Sequence, residues 1–455
     1  MSTGLTPTRQ AALSVLRDVR VRRAWAHDLL HATFSTISLD ERDRAFAVRL
    51  VHGVVSAEGT LDEVLDRHIR HASKTHPLVR DALRLATYEL LFMSTPSRVA
   101  VHQGVEAVRS VAPRASGLAN AVLRRVAAEA DAFPWGDPHT DTDALARATA
   151  HPRWLVELLI RDLGRQSATA MLMADNEPAP LFVAHNPFAG PFDALLASLE
   201  ADGASPVVEG PAGCVRTRAP AAAVRSAALA EGRCVVSDGA AQYCAALAAP
   251  GPSKRTVELA AGRGVKTVVM QAESMRQGGP GEIISADTHP FKITVLERRM
   301  RELAVPSVTA VVADTTDVRS VELLGGPHSA DVVMVDAPCS GLGTLRRHPE
   351  RRWRLRPDSI ETLAVVGEAM LLTASYLVRP AGFVVYSTCT VTERENGRVV
   401  EAFLASSAGS RFRAAPLSVP PPPDWTGFVS AEGWFRSLPA PDGPDGHFAA
   451  VIKAV

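Results

Sequence analysis

The sequence predicts a multidomain protein with an all-α N-terminal domain, a small α+β middle module and a C-terminal α/β domain. Apolar residues have helical spacing up to about Ala128, short apolar runs are broken by proline and glycine up to Val236, and short strands alternate with helices from Thr256 onward. The 455 residues, 46% of them hydrophobic, can bury more than one core. We place the helical domain at 1–132, a linker at 133–150, the α+β module at 151–235 and the α/β domain at 236–455.

The N-terminal segment carries its apolar residues on single helical faces, which predicts a domain with its own core. Residues 133–149 are rich in turn formers and short of apolar periodicity, which favours a linker. After the linker, a helix is predicted from His151 to about Ala174. The apolar faces of the helical domain are formed by Ala12, Val15, Leu16 and Val19, by Phe46, Leu50 and Val54, and by Val79, Leu83, Ala86 and Leu90.

The C-terminal segment alternates strands with helices, which predicts βαβ units and a mostly parallel sheet with helices on both faces. In such sheets, ligands bind beyond the carboxyl ends of the strands. The predicted strands are 256–260, 282–286, 308–313, 331–335 and 383–388.

Composition excludes several classes of protein. The chain has 49 basic and 49 acidic residues, so no overall field attracts it to a polyanion and any nucleic-acid contact must be local. The five cysteines lack the paired short spacings of a zinc site, and their odd number disfavours a disulfide framework. The N-terminus has no apolar signal segment, and no run of eighteen apolar residues follows. We therefore expect a soluble cytoplasmic protein without a metal ion or a membrane anchor.

A glycine-containing turn follows the first predicted strand of the α/β domain, at residues 260–267. Glycine lets a backbone turn tightly and approach a nucleotide-like ligand, although such a turn can equally be a plain connection. Asp287 ends the second strand, where an acid can accept hydrogen bonds from ribose hydroxyls. Asp314 and Asp336 end two further strands, and Glu258 lies in the first. Acids at strand ends can be mere helix caps, but together these four suit a cofactor with ribose hydroxyls, an adenine amino group and a positive charge.

Two cysteine motifs follow predicted strands. Residues 336–341 are Asp-Ala-Pro-Cys-Ser-Gly, and residues 386–390 are Tyr-Ser-Thr-Cys-Thr. If the sheet is parallel, Cys339 and Cys389 both emerge at its carboxyl edge. For Cys214, Cys234 and Cys244, the ordinary role of a small buried hydrophobe is the fair interpretation.

These motifs resemble the Sun/Nop/RsmB family of RNA cytosine-C5 methyltransferases, whose hallmarks are Asp-Ala-Pro-Cys-Ser-Gly and Ser-Thr-Cys. The resemblance covers nearly the whole chain and implies a Rossmann-like class I methyltransferase domain. Residues 117–125 resemble the NusB-like domain fused to bacterial members, residues 151–155 resemble the start of their catalytic region, and residues 445–448 resemble their closing strand. The resemblance also implies S-adenosylmethionine as cofactor.

Carried over by motif, the family's nucleophile is Cys389, and Cys339 assists release of the product. A thiolate that adds to C6 makes C5 of cytosine nucleophilic, so covalent catalysis replaces one difficult step with easier ones. We expect Asp336 to hydrogen-bond the ring and stabilise charge that develops there.

The cofactor loop departs from the family's Cys-Ala-Ala-Pro-Gly-Gly-Lys-Thr, because Arg263 replaces the proline and Val265 the second glycine. A β-branched residue tolerates positive φ poorly, so we expect Val265 in an ordinary conformation and a loop that closes differently. We expect cofactor binding to be retained. The expected cofactor-binding residues are Ala260, Ala261, Gly262, Arg263, Gly264, Val265, Lys266, Asp287, Asp314 and Asp336.

The densest basic run of the chain follows the first cysteine motif, at residues 345–356. It can be a solvated surface, but an interleaved tryptophan and its place after the motif favour contact with RNA phosphates and a stacked base. The expected RNA-binding residues are Arg346, Arg347, Arg351, Arg352 and Trp353.

Alternative functions remain open from the sequence. One is a noncatalytic RNA-binding or ribosome-assembly factor with a weakened cofactor site, and another is a small-molecule or protein methyltransferase. A thiol hydrolase is disfavoured because no histidine adjoins Cys389 in sequence. Within the favoured class, the NusB-like segment points to 16S ribosomal RNA rather than transfer RNA, and no obligate protein partner is indicated.

Overall fold

The computed structural model describes residues 4–455, which form two compact units. The helical unit contains the chain up to Asn176 and the separate segment 345–355. The second unit contains the ranges Glu177–Thr344 and Arg356–Val455. Segment 345–355 therefore belongs to the helical unit, although it was predicted within the α/β domain.

The helical unit has ten α-helices before residue 177, counted over its described residues, and the apolar faces predicted from the sequence form its core. Ala12 and Leu50 are buried, as is the face of the fifth helix at Val79, Leu83 and Ala86. The helices are α1 Pro7–Arg22, α2 Ala26–Phe34, α3 Glu41–Ser56, α4 Glu58–Asp66, α5 Pro77–Phe92, α6 Ser97–Val111, α7 Ser116–Glu129, α8 Thr142–Thr149, α9 Arg153–Leu163 and α10 Arg165–Ala174.

Two parts of this unit differ from the predicted segments. The predicted linker 133–150 contains α8, which buries Leu145 and its neighbours because a short apolar run follows the turn formers. The helix predicted from His151 to Ala174 is broken at Gly164, whose φ of 76° is left-handed. The resulting helices α9 and α10 belong to the helical unit and not to the α+β module.

The small module is an antiparallel four-stranded sheet with short helices, as the mixed pattern predicts, but it starts after residue 176. Its strand order is β2-β3-β1-β4. Its elements are β1 Leu181–His185, α11 Phe192–Ala201, β2 Pro206–Val208, β3 Cys214–Thr217, α12 Pro220–Val224, α13 Ala227–Ala230 and β4 Cys234–Val236.

The remaining elements form an α/β domain around one sheet with strand order β10-β12-β9-β8-β5-β6-β7, and β11 pairs with β12. The five predicted strands are confirmed and run parallel, whereas β10, β11 and β12 are antiparallel. The strands are β5 Arg255–Leu259, β6 Glu282–Asp287, β7 Val308–Val312, β8 Ala330–Asp336, β9 Val378–Thr388, β10 Phe412–Ala415, β11 Phe435–Arg436 and β12 Phe448–Ala454. The helices of this domain are α14 Gly239–Ala246, α15 Val265–Arg276, α16 Pro290–Glu302, α18 Pro357–Leu377 and α19 Gly397–Ala405, whereas α17 Arg351–Arg354 belongs to the helical unit.

Both faces of the sheet are covered, so successive residues of a central strand enter different cores. Val333 and Val335 of β8 pack with α18 and α19, whereas Met334 packs with α14, α15 and α16. Among the described residues, α18 is the helix long and apolar enough to cross a membrane by length and composition alone. It belongs to the core through Ala364 and Leu371.

The strand order places a crevice at one point of the sheet. The chain runs outward from β5 through β6 to β7, and then returns to β8 on the other side of β5. Such a reversal leaves a crevice beyond the carboxyl ends of the two central strands. The loops after β5 and β8 therefore line the place where a ligand is expected.

Candidate active site

The glycine-containing loop connects β5 to α15 at the crevice. Ala260, Gly262 and Gly264 have positive φ values of 60°, 60° and 78°. Val265 begins α15 and is not among the residues with positive φ, which confirms its predicted ordinary conformation. A Cβ at Gly262 would meet no atom within 4 Å, whereas one at Gly264 would lie 2.7 Å from Leu296 Cγ. The loop is therefore open at Gly262 and tightly packed at Gly264.

Asp287 fixes this loop from the end of β6. Its carboxylate accepts hydrogen bonds from the Gly262 N–H at 3.1 Å and the His289 N–H at 2.9 Å, and the Lys292 ammonium lies 3.2 Å away. Burial raises the pKa of Asp287, but the hydrogen bonds from His289 and Lys292 and the charge of Lys292 outweigh it and hold the pKa below the ordinary value. An ionised carboxylate thus stands beside the loop.

The four acids predicted at this edge have different surroundings. Asp287 and Asp336 border the loops of the crevice, and the exposed Asp314 accepts hydrogen bonds from the N–H and hydroxyl of Thr316. Glu258 of β5 is fully buried, and it accepts hydrogen bonds from the hydroxyls of Thr267 on α15 and Ser285 on β6 at 2.6 and 2.7 Å. Glu258 therefore fastens α15 to the sheet.

Glu258 is expected to make stability depend on pH. Burial raises its pKa from 4.5 to about 7, so the folded protein holds this proton more tightly than the unfolded chain does. Proton binding by Glu258 contributes its full stabilisation at pH values below the pKa of this residue in the unfolded chain. The contribution is lost as the pH rises through the pKa of Glu258 in the folded protein. Relative to Glu258→Gln, we expect the wild type to lose about 3 kcal/mol of unfolding free energy between about pH 4 and pH 8.

Urea unfolding of both proteins across this pH range measures the difference. Glu297→Gln, a change of an exposed glutamate on α16, serves as the control and should leave the pH profile unchanged. Parallel profiles for the wild type and Glu258→Gln would contradict the buried, proton-binding role of this residue.

Lys266 and Asp336 form an ion pair between the two loops of the crevice. Lys266 lies in the first turn of α15, and its Nζ is 2.6 Å from Oδ1 of Asp336. Burial lowers the pKa of Lys266, but the charge and hydrogen bond of Asp336 raise it further, and the net shift is upward. The charge of Cys389 contributes to that rise, so the ammonium also stabilises a thiolate at Cys389.

The two motif cysteines meet beside this ion pair, as predicted from parallel strands. Asp336 of β8 pairs with Ser387 of β9, so both strands end at the same level. The Sγ atoms of Cys339 and Cys389 are 3.4 Å apart, and the Cys389 N–H donates to Cys339 Sγ at 3.3 Å. The hydrogen bond with Cys389 and then burial raise the pKa of Cys339 well above its ordinary value. These surroundings favour the protonated thiol at Cys339.

Two glycines join the loops around these thiols. The Gly343 N–H donates to the Cys389 carbonyl at 3.0 Å, and the Gly446 N–H donates to the Gly343 carbonyl at 2.8 Å. A Cβ at Gly343 would lie 2.0 Å from the Gly446 oxygen. Glycine is required at this close approach, which sequence spacing does not reveal.

Two family models match the chain. Residues 245–453 match the 16S rRNA methyltransferase RsmB/F model, and residues 6–128 match the NusB family. A probable ribosomal RNA small subunit methyltransferase B from Synechocystis sp. is 30% identical, with 98% of this chain and 99% of the relative covered. The chain belongs to the RsmB/F family.

Further comparisons agree with this assignment. A ribosomal RNA small subunit methyltransferase B from Thermus thermophilus is 31% identical over 98% of each chain. The crystal structure of PH0851 has the same fold, with a TM-score of 0.79 and 22% identity over 98% of this chain and 99% of that chain. The predicted family, fold class and enzyme class are confirmed, and the protein is an RNA methyltransferase of the RsmB/F type.

The other three cysteines of this RsmB/F enzyme are buried, as the sequence interpretation proposed. Burial is the largest cause of the raised pKa of each of these thiols. It raises the pKa of Cys234 and Cys244 to about 12, and the pKa of Cys214 is raised as well. Such thiols are unreactive near neutral pH.

The basic run belongs to the helical unit, and its structure corrects part of the RNA-binding prediction. Arg352 is 0% exposed, and its guanidinium donates to Asn176 Oδ1 at 2.7 Å and to the Asp175 carbonyl at 2.6 Å. Arg346 is also buried. The Trp353 Nε1–H donates to the Ser56 carbonyl at 2.8 Å. The burial of Arg352 thus replaces its predicted phosphate contact by packing within this unit, whereas base stacking by the half-buried Trp353 stays a prediction.

Arg352→Ala is expected to lower the free energy of unfolding by about 3 kcal/mol or more, because main-chain carbonyls lose their buried donor. Arg354→Ala is the matched control: its exposed side chain donates to the Arg23 and Ala24 carbonyls at 3.2 and 3.3 Å, and its loss should cost less than about 1 kcal/mol. Urea unfolding measures both costs. If both substitutions lowered the free energy of unfolding equally and Arg352→Ala alone weakened RNA binding, Arg352 would have the RNA-binding role predicted from the sequence.

The sequence interpretation missed Glu395, which lies buried between the two cysteine loops. It stands in the polar run 390–396, Thr-Val-Thr-Glu-Arg-Glu-Asn, which has the composition of a solvated turn. The two threonines and the asparagine of that run were the available signal, since they can supply hydrogen bonds to a buried acid.

Proposed function

We propose that this enzyme methylates C5 of a cytosine in RNA through a covalent adduct between Cys389 and C6 of the base. The observation that carries the proposal is the pair of thiols 3.4 Å apart at the carboxyl edge of β8 and β9, beside the ion pair of Lys266 and Asp336. RNA methylation agrees with the family to which the chain belongs.

Cys389 acts as the nucleophile in this proposal. Its thiolate forms a bond to C6, and the ring electrons shift so that C5 becomes nucleophilic. C5 then accepts the methyl group and loses its proton to a base, after which the S–C6 bond breaks and the thiolate leaves. The Lys266 ammonium supports the assignment, because its positive charge favours the thiolate over the thiol.

Cys339 keeps its proton and supports release of the product. Hydrogen bonding with Cys389 and burial hold its pKa high, so it can place an S–H group against the Cys389 sulfur as the adduct breaks. Asp336 is oriented by Lys266 and can hydrogen-bond the cytosine ring. The two cysteines therefore have different tasks, which follow from their different surroundings.

The crevice residues fit S-adenosylmethionine, which supplies an electrophilic methyl group when bound. The open face at Gly262 leaves room for a ligand against the loop, and the ionised Asp287 offers an acceptor for hydroxyl groups. The exposed Asp314 can accept a hydrogen bond from an amino group. The proposed binding residues are Ala260, Ala261, Gly262, Arg263, Gly264, Val265, Lys266, Asp287, Asp314 and Asp336.

We propose 16S ribosomal RNA as the substrate and the cytoplasm as the place of action. A thiol reaches C6 only when the base is unpaired or flipped from its stack. In the basic run, we assign the RNA contacts to the half-buried Arg347 and Arg351, because the Arg352 guanidinium bonds to the Asp175 carbonyl inside the helical unit. Transfer RNA is the alternative substrate.

Transfer of a labelled methyl group from S-adenosylmethionine tests this function. Purified enzyme should label unmethylated 16S ribosomal RNA, and digestion should recover the label as 5-methylcytosine. Label in transfer RNA alone would change the substrate. The absence of both label and cofactor binding would favour a noncatalytic RNA-binding factor.

A further inference from the structure

Glu395 is a buried carboxylate that lies between the loops of Cys339 and Cys389. It is 1% exposed and precedes α19. Its Oε1 accepts a hydrogen bond from the Ser340 N–H at 2.6 Å, and its Oε2 accepts from the Ser340, Thr390 and Thr392 hydroxyls at 2.6, 3.1 and 2.8 Å. One side chain therefore bonds to both loops.

These hydrogen bonds reach the residue next to each thiol. Ser340 follows Cys339, and Thr390 follows Cys389. The Ser340 and Thr390 hydroxyl oxygens are themselves 2.8 Å apart, so the two loops and the carboxylate form one connected network. A carboxylate has about four acceptor sites, and hydrogen bonds to a charged group are stronger than neutral ones. The network thus restricts how far the loops can separate.

Asn396 holds the Cys389 loop from its other side. Its Oδ1 accepts from the Thr388 hydroxyl at 2.6 Å, and its Nδ2 donates to the Thr390 carbonyl at 3.1 Å. Thr388 and Thr390 are the two neighbours of Cys389 in sequence. The backbone of the second loop is therefore fixed on both sides of its thiol.

A further contact anchors this pair of residues to the sheet. The Tyr386 hydroxyl of β9 donates to the Glu395 carbonyl at 2.7 Å. Tyr386 and Asn396 are also buried, so the hydrogen bonds are shielded from competing water. The position of the pair is set by the core of the domain and not by the solvent-exposed turn.

We propose that Glu395 and Asn396 are positioning residues that hold the Cys339 and Cys389 thiols at their reactive separation. We refer to these two residues as the thiol brace. The inference rests on the proposed covalent function, but it makes a separate statement about the distance between two sulfur atoms. Neither residue needs to contact the base or the cofactor to act in this way.

Equilibration with glutathione tests the brace without RNA. The two thiols and oxidised glutathione give a Cys339–Cys389 disulfide and two molecules of reduced glutathione, so the equilibrium constant reports the effective concentration of one thiol at the other. We expect Glu395→Gln and Asn396→Ala to lower this constant at least tenfold, and Asn396→Ala changes no charge. Glu401→Gln, an exposed change on α19, should leave it unchanged. Cys214, Cys234 and Cys244 should remain reduced throughout.

Steady-state kinetics gives the second readout. Misplaced thiols should lower kcat at least tenfold while the KM values for RNA and S-adenosylmethionine stay within about twofold of the wild type. If a brace variant fails to fold, Ser340→Ala removes one hydroxyl donor to Glu395 and provides the same two readouts.

The outcomes separate the brace from the proposed function. A lowered equilibrium constant supports the brace, even if no RNA is methylated and the covalent function is thereby rejected. If the folded brace variants have the same equilibrium constant and the same kcat as Glu401→Gln, the inference is overturned. The proposed covalent mechanism is unaffected by that result.

Discussion

Cys389→Ala is expected to abolish methyl transfer and to lower kcat by about 10⁴-fold or more, the scale of loss when a covalent nucleophile is removed. Without the thiolate, C5 of cytosine stays a poor nucleophile and the methyl group has no acceptor. The measurement is incorporation of labelled methyl into RNA under saturating cofactor. The KM for S-adenosylmethionine is expected to change little, because the loop after β5 and Asp287 are intact in this variant.

Cys234→Ala is a matched control for this change. Cys234 is a buried thiol of the four-stranded sheet, so its loss should reduce stability modestly and leave kcat near the wild-type value. Substantial methyl transfer by a folded Cys389→Ala protein would show that another group attacks the base.

Cys339→Ala is expected to trap the enzyme on its RNA. The adduct through Cys389 should form and accept a methyl group, but its release should fail because the S–H group beside the Cys389 sulfur is missing. Turnover should stop after at most one methyl group per enzyme molecule. A covalent protein–RNA complex that survives denaturing gel electrophoresis measures this result.

The double variant is the control for the trapped complex. Cys339→Ala combined with Cys389→Ala should give no covalent complex, since the attacking sulfur is absent. A complex formed by Cys389→Ala alone would instead assign the attack to Cys339 and reverse the two roles.

The sequence predicts the part of the site that depends on regular structure. Strands that run parallel end at a common edge, so the convergence of Cys339 and Cys389 follows from the positions of their motifs after β8 and β9. The conformation of Val265 is also predictable, because a β-branched side chain restricts φ locally.

The remaining features depend on contacts between residues distant in sequence. Arg352 is one arginine among several in a basic run, and only tertiary packing selects it for burial. Glu395 stands in a polar run typical of a solvated turn, yet the fold encloses it. The close approach of Gly343 to Gly446 likewise joins residues about a hundred positions apart in the chain.

The same reasoning explains why the four strand-end acids were predicted as one group. Sequence gives their position on the sheet but not the depth of each side chain. Glu258 is enclosed by Thr267 and Ser285, while Asp314 remains exposed. A group of acids inferred from their place on the sheet alone therefore includes one, Glu258, that serves the core.

The measurement that tests the central claim most directly is mass spectrometry of the complex between Cys339→Ala protein and unmethylated 16S ribosomal RNA. After digestion with protease and nuclease, the account predicts one cross-linked peptide that contains Cys389 bonded through sulfur to a methylated cytosine nucleotide. A nucleotide bonded to any other residue, or normal turnover with no cross-linked peptide, would contradict the covalent mechanism.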